Sequence, residues 1–169
     1  MNVSFHKTSI GRIGIAEEKD RIVRVYFTSM GLYEEAEHKE TPLIKEAFDQ
    51  LYAYLDGKLK EFSLPLNPKG TEYMKKIWEA ICKIPYGNTA TYMQIAELIG
   101  EPNAARAVGL AGNKNPIPVF IPSHRIISSD NRLKGFGSGL EVKKQLLELE
   151  GSLCYDDEGQ MKFSELMKL

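Results

Sequence analysis

The chain opens with short runs in which apolar and polar positions partly alternate, and continues with runs of helical period. "NVSFHK" (2–7), "RIGIA" (12–16) and "RIVRVYFT" (21–28) are rich in β-branched and aromatic residues, which predicts three strands, the last two joined by a turn at "EEKD" (17–20). At Thr41-Pro42 a helix is predicted to start, with threonine as its cap and proline at the first helical position, where a missing N–H costs nothing. Ile44, Ala47, Phe48, Leu51, Tyr52 and Leu55 then recur at helical spacing until Asp56-Gly57 ends it. In "KLKEFSLPLNPKG" (58–70), Pro65 and Pro68 favour an extended connection. This places a boundary between a strand-and-helix domain with its linker (1–68) and a second domain (69–151), followed by a tail (152–169).

The second domain reads as mainly helical. Thr71 caps a predicted helix with Tyr73, Ile77, Ala80, Ile81 and Ile84 on one face, ended near Pro85-Tyr86-Gly87. Thr91 and Gln94 stand at capping-box spacing before a short helix stopped by Gly100. "NAARAVGLAGNKN" starts the next, with Asn103 as the expected cap. Two short helices joined by a Gly-containing turn describe a helix-turn-helix. "IPVFIP" (117–122) is short and apolar, as expected of a buried strand, and a polar Gly-rich loop follows. Ser138 and Glu141 form a second capping-box pair, opening a helix with Val142, Leu146 and Leu149 on one face and closed by Gly151. The acidic tail is expected to pack or fray.

Charge adds one asymmetry. The net charge is −1, yet residues 103–144 hold Arg106, Lys114, Arg125, Arg132, Lys134, Lys143 and Lys144 against only Asp130 and Glu141, while the first 68 residues hold nine basic and eleven acidic side chains. A polyanionic partner for the middle of the chain fits this pattern, as does a solvated charged face. No run approaches the roughly 18 apolar residues of a membrane span, so no membrane partner is expected. The N-terminus has no apolar signal core, which points to a cytoplasmic location (nuclear in a eukaryote). Cys82 and Cys154 are too few and too far apart for a disulfide framework or CxxC site, and buried structural thiols are expected. His6, His38 and His124 have no second ligand at useful spacing, so neither a metal nor another cofactor is expected.

The candidate chemistry centres on "FIPSHRII" (120–127), where a Ser-His-Arg triplet sits between apolar runs. Taken with "IPYGNTATYMQIAELIGEPNAARAVGLAGNKNPIPV" before it and "GFGSGLEVKKQLLELEG" after it, the stretch closely resembles the O6-alkylguanine-DNA alkyltransferases, from about Thr71 to Gly151. The resemblance implies an α+β protein: a small ribonuclease H-like strand-and-helix domain, then a helical domain with a winged helix-turn-helix. It implies a monomer that binds double-stranded DNA containing O6-alkylguanine, flips the damaged base out, and transfers the alkyl group to its own cysteine. The family's motif is Pro-Cys-His-Arg; this chain has Pro122-Ser123-His124-Arg125. Attack at saturated carbon favours a thiolate, whose parent thiol ionises near a pKa of about 8.5. A serine hydroxyl is a far weaker acid and a poorer nucleophile there, so the site is expected to keep its shape and lose its reaction.

By the same resemblance, Ser123 occupies the acceptor position, His124 acts through a water as base, Glu150 orients His124, and Asn115 braces the turn. Arg106 is the finger that fills the gap left by the flipped base, with Ala105, Gly109, Tyr92 and Arg125 also at the DNA. Tyr92, Ser123, Ile126, Phe136 and Gly137 line the base pocket, Phe136 standing where the family commonly has tyrosine. The helix-turn-helix is then expected in the minor groove. Two readings follow: a repair alkyltransferase whose acceptor cysteine has been replaced, or a natural alkyltransferase-like protein that marks lesions without repairing them. A serine hydrolase built on Ser123, His124 and Glu150 lacks the G-x-S-x-G elbow. A transcription factor would need a dimer interface or a preferred sequence.

Overall fold

A computed structural model describes residues 1–27, 37–130, 133 and 135–163. The chain divides into two units, Met1–Lys69 and Gly70–Leu169.

In the first unit, β1 (Asn2–Thr8), β2 (Gly11–Glu18) and β3 (Arg21–Phe27) form an antiparallel meander, and β4 (Glu37–His38) adds in parallel to β1, giving the order β3-β2-β1-β4. β4 was not expected; two polar residues carry no strand pattern. The "EEKD" turn is tighter than predicted. β2 runs through Glu18, and only Lys19 and Asp20 turn, with φ of 52° and 60°. Positive φ at both central residues suits a two-residue hairpin, because its twist matches that of the strands. Thr28, the predicted end of the third strand, lies outside the described residues. Gly14 faces Phe5 across the β1–β2 ladder, where a Cβ would fall 2.3 Å from the Phe5 ring, so the close approach requires glycine.

α1 (Pro42–Leu55) begins as predicted: the Thr41 hydroxyl accepts from the Ile44 N–H and Pro42 takes the first turn. It buries Ile44, Ala47, Phe48, Leu51 and Tyr54, and packs against β1, β2 and β3. Each full-sized apolar side chain so buried stabilises the unit by about 1.5–3 kcal/mol. The linker is extended and lies along β3, where the Ile22 N–H donates to the Pro65 carbonyl and the Asn67 N–H to the Ile22 carbonyl, both at 2.8 Å. Neither bond needs the N–H that proline lacks.

The second unit holds α2 (Glu72–Ile81), α3 (Tyr92–Leu98), α4 (Ala105–Asn113) and α5 (Leu140–Leu149). Thr71 caps α2, and Thr91 and Gln94 make the reciprocal capping box of α3. α2 stops at Ile81, earlier than predicted; Ile84 is buried from the following turn, while Tyr73 is exposed. α3 and α4 pack as the helix-turn-helix, and the buried Trp78 of α2 donates its indole N–H to the Ala111 carbonyl of α4 at 2.9 Å.

Other local expectations fail for identifiable reasons. Asn103 does not cap α4: it sits in a turn, the Ala104 N–H donates to the Glu101 carbonyl, and Ala104 is the cap residue without a side-chain bond. Ser138 does not cap α5, which starts from Gly139 at φ 104°. Lys143, Leu146 and Leu147 form the buried face of α5, with Val142 and Leu149 only half-buried. "IPVFIP" is a buried turn, not a strand. Its apolar content reflects burial in a tight bend, where the Ile121 N–H donates to the Ile117 carbonyl at 2.9 Å. The tail forms a hairpin of β7 (Leu153–Tyr155) and β8 (Met161–Phe163), and Leu153 joins Ile127, Leu147, Leu133 and Phe163 in one apolar cluster. Both cysteines are exposed, contrary to expectation; Cys82 falls at the end of α2, where its helical phase no longer points inward.

Candidate active site

The polypeptide reaches residue 123 through a strained bend. Val119, β-branched, has φ of 76°, a conformation such residues rarely adopt. Asn115 holds the bend from inside. Its Oδ1 accepts from the Ile117 N–H (2.9 Å), and its Nδ2 donates to the Ile121 carbonyl (2.8 Å) and to Ser123 Oγ (2.9 Å). Ser123–Arg125 then form a single 3-10 turn, with the Ser123 N–H on the Ile121 carbonyl at 2.8 Å. β6 (Ile126–Ile127) leaves that turn and pairs in parallel with β5 (Ala90–Thr91), so the cap of α3 and the 3-10 turn are registered to each other.

Ser123 and His124 are buried, at 3% and 0% exposure. His124 Nε2 lies 2.7 Å from Glu150 Oε2 at the end of α5. Arg125 grips the same carboxylate, Nε to Oε1 at 2.8 Å and Nη2 to Oε2 at 3.1 Å, and its Nη1 donates to the Ile84 carbonyl at 2.7 Å. Burial alone would raise the Glu150 carboxyl, but His124 and Arg125 outweigh it and hold it at about 2. Burial also pushes the His124 imidazole below its ordinary value; Glu150 opposes this, while Arg125 and Lys143 reinforce it. A neutral imidazole facing an ionised carboxylate carries its proton on Nε2 and donates it. That leaves Nδ1 as a base, and Nδ1 has no hydrogen-bond partner among the described residues. Ser123 Oγ is instead paired with Asn115, so the described residues hold no direct Ser123–His124 hydrogen bond.

The remaining predicted residues fall around this centre. Phe136 is buried, its ring edge-on to His124 at 6.3 Å and 83°. Gly137 is exposed, and a Cβ on it would lie 2.8 Å from the Asn113 carbonyl, so only glycine lets its loop approach α4 this closely. Ile126 is buried. Tyr92 opens α3, half-buried, with its ring against Gly109 of α4; burial raises its phenol pKa. On α4, Arg106 is exposed and Ala105 half-buried.

Arg125 corrects the sequence reading. Expected at the DNA, it is 7% exposed and committed to Glu150 and Ile84. Sequence reasoning also missed Lys143, fully buried on α5, which donates to the Ile126 carbonyl at 2.5 Å and is lowered by burial to about 8. Its signal was present: Lys143 shares a helical face with Leu146, Leu147 and Glu150. With Arg125 and Lys143 inside, the basic excess of residues 103–144 is partly internal, and Arg106 and Lys114 are exposed. Among the described residues no group of three or more His, Cys, Asp or Glu side chains could hold a metal, and no helix is long and apolar enough to cross a membrane.

Comparison with known proteins places this geometry. Residues 1–68 match the family model of the 6-O-methylguanine DNA methyltransferase ribonuclease-like domain, and residues 72–152 that of its DNA-binding domain. A methylated-DNA–protein-cysteine methyltransferase of Methanosarcina barkeri is 56% identical over 106 residues, 63% of this chain and 67% of that protein. The constitutive enzyme of the same name from Bacillus subtilis is 43% identical over 151 residues, 85% of this chain and 92% of that protein. The crystal structure of Mycobacterium tuberculosis OGT in complex with DNA superposes with a TM-score of 0.84 at 37% identity, covering 90% of this chain and 94% of that one. With both of its units matched in order, the chain belongs to the 6-O-methylguanine DNA methyltransferase family.

Proposed function

We propose that this chain recognises O6-alkylguanine in double-stranded DNA and, carrying Ser123 at the acceptor position, does not take up the alkyl group. The observation that carries the reading is the site around Ser123. Its oxygen is buried, receives the Asn115 amide at 2.9 Å, and stands beside a hydrogen-bonded His124–Glu150 pair, which supports reading it as an acceptor position with oxygen in place of sulfur.

In the reaction of a cysteine-bearing site, the thiol loses its proton through water to His124 Nδ1, and the sulfur attacks the alkyl carbon. The carbon–O6 bond breaks, and its electron pair passes to the guanine. Asn115 Nδ2 is placed to stabilise the developing thiolate by donating to it. A hydroxyl in the same position ionises too weakly for this step. Lesion recognition does not depend on sulfur. Arg106 enters the duplex from α4, Tyr92 crowds the target nucleotide, and the base is held between Tyr92, Phe136, the Gly137 loop and the main chain of Ser123 and Ile126. The preference for a methylated base follows from the lower cost of extruding a damaged base.

The reading is tested by competition binding with matched duplexes containing O6-methylguanine or guanine. Preference for the lesion, weakening as salt rises, supports it; equal affinity refutes it. Tight sequence-dependent binding without lesion preference would favour a transcription factor.

A further inference from the structure

Arg125 lies one residue beyond His124 and is not needed to hold it, since Glu150 alone accepts the imidazole N–H at 2.7 Å. Its geometry is nevertheless specific. The guanidinium binds the Glu150 carboxylate through two donors, anchors a third on the Ile84 carbonyl, and lies 5.8 Å from the centroid of the Tyr86 ring. Glu150 Oε2 thus serves His124 and Arg125 at once, in a site where the Glu150 and His124 side chains are fully buried.

A buried carboxylate needs a countercharge. With His124 as its only partner, Glu150 would draw a second proton onto the imidazole and form an imidazolium–carboxylate pair. That pair has no base left, because both ring nitrogens carry protons. With Arg125 present, the countercharge is permanent, since a guanidinium does not deprotonate in proteins.

We propose that Arg125 is a positioning residue of the acceptor site: by neutralising Glu150 it keeps His124 uncharged, with Nε2–H pinned to the carboxylate and Nδ1 left as the proton acceptor. The other groups facing this pair fit the assignment. Lys143 of α5 adds a second positive charge that disfavours the imidazolium. Phe136 presents its ring edge-on to His124, Tyr86 stacks on Arg125, and Ser123 carries no charge. Glu150 is the anion that would favour the imidazolium, and Arg125 binds both of its oxygens. This deepens the acceptor-site reading above and rests on it for the chemistry served, while its measurement requires neither DNA nor transfer.

The chain has three histidines, so nitrogen-15 NMR of the imidazoles can follow His124 separately through a pH titration. In the unaltered protein His124 is expected as the neutral Nε2–H tautomer at neutral pH. In Arg125→Met its protonation midpoint is expected to rise by about one pH unit or more, a tenfold change in proton affinity. Arg125→Lys should restore most of the original behaviour, and Arg125→Met combined with Glu150→Gln should abolish the rise, because the charge needing neutralisation is gone. If Arg125→Met does not fold, Arg125→Gln, which keeps a donor without the charge, makes the same comparison. An unchanged His124 midpoint in a folded, uncharged variant overturns the proposal, as does an imidazolium or an Nδ1–H tautomer in the unaltered protein. If the titrations behave as expected and Ser123→Cys still takes up no alkyl group, the functional reading fails and the Arg125 assignment stands.

Discussion

Replacing Asn115 with alanine removes the brace of the bend before Ser123, and its cost can be worked bond by bond. Three contacts disappear: Ile117 N–H to Oδ1, and Nδ2 to both the Ile121 carbonyl and Ser123 Oγ. The Ile121 carbonyl keeps the Ser123 N–H as partner, whereas the Ile117 N–H, on a fully buried residue, loses the side-chain acceptor that serves it. An orphaned buried donor costs about 1–3 kcal/mol, and the two further bonds add about 1 kcal/mol together, since one acceptor remains satisfied and the other is a hydroxyl. The expected loss is therefore about 2–4 kcal/mol. Urea unfolding followed by Trp78 fluorescence isolates this effect, because Trp78 is the chain's single tryptophan and is buried in the second unit. With a urea slope of about 2 kcal/mol per molar, the midpoint should fall by about 1–2 M. A shift below about 0.3 M in the folded variant would show that Asn115 does not hold the bend.

Further outcomes follow from the same geometry. Gly137→Ala forces the loop off the Asn113 carbonyl and should cost about 1–3 kcal/mol, as overpacking does, together with lesion preference; Trp78 unfolding and duplex binding read the two losses. Glu150 is held at about 2, below its ordinary 4.5, so its contribution to stability is complete above that range and is lost as pH falls toward 2. Stability measured across this window should decline less steeply in Glu150→Gln. Lys143 is held near 8 against an ordinary 10.5, so the unfolded chain binds more protons between those values and stability should rise with pH there. Lys143→Met should flatten that rise. Arg106→Ala should weaken lesion-duplex binding by about 2 kcal/mol, roughly thirtyfold in Kd, and lower the salt dependence; unchanged affinity would remove Arg106 from the finger role.

The helices that begin with a threonine were legible because a cap is a local device. Thr41, Thr71 and Thr91 each satisfy an N–H within three residues, and the structure places them as read. Asn103 and Ser138 carry the same kind of signal and fail, because the neighbouring turn at 101–104 and Gly139 set the backbone first. "IPVFIP" misled for another reason. Apolar composition reports burial, and a buried turn held by the side chain of Asn115, two residues before it, has the same apolar content as a short strand. At the site, the resemblance located Ser123, His124, Glu150 and Asn115, which the fold brings together. It could not show that Arg125 turns inward, since a lone arginine beside a histidine reads equally as a surface contact. Only the packing of the end of α5 against the 3-10 turn decides that direction.

Under the proposed function one atom, oxygen in place of sulfur at residue 123, separates recognition from transfer. Intact-protein mass spectrometry after incubation with O6-methylguanine duplex tests it directly, on the unaltered chain and on Ser123→Cys side by side. No mass change is expected in the unaltered chain, and the gain of a single methyl group per molecule is expected in Ser123→Cys. Methylation of the serine form, or a Ser123→Cys protein that folds, binds the lesion and stays unmodified, would contradict it.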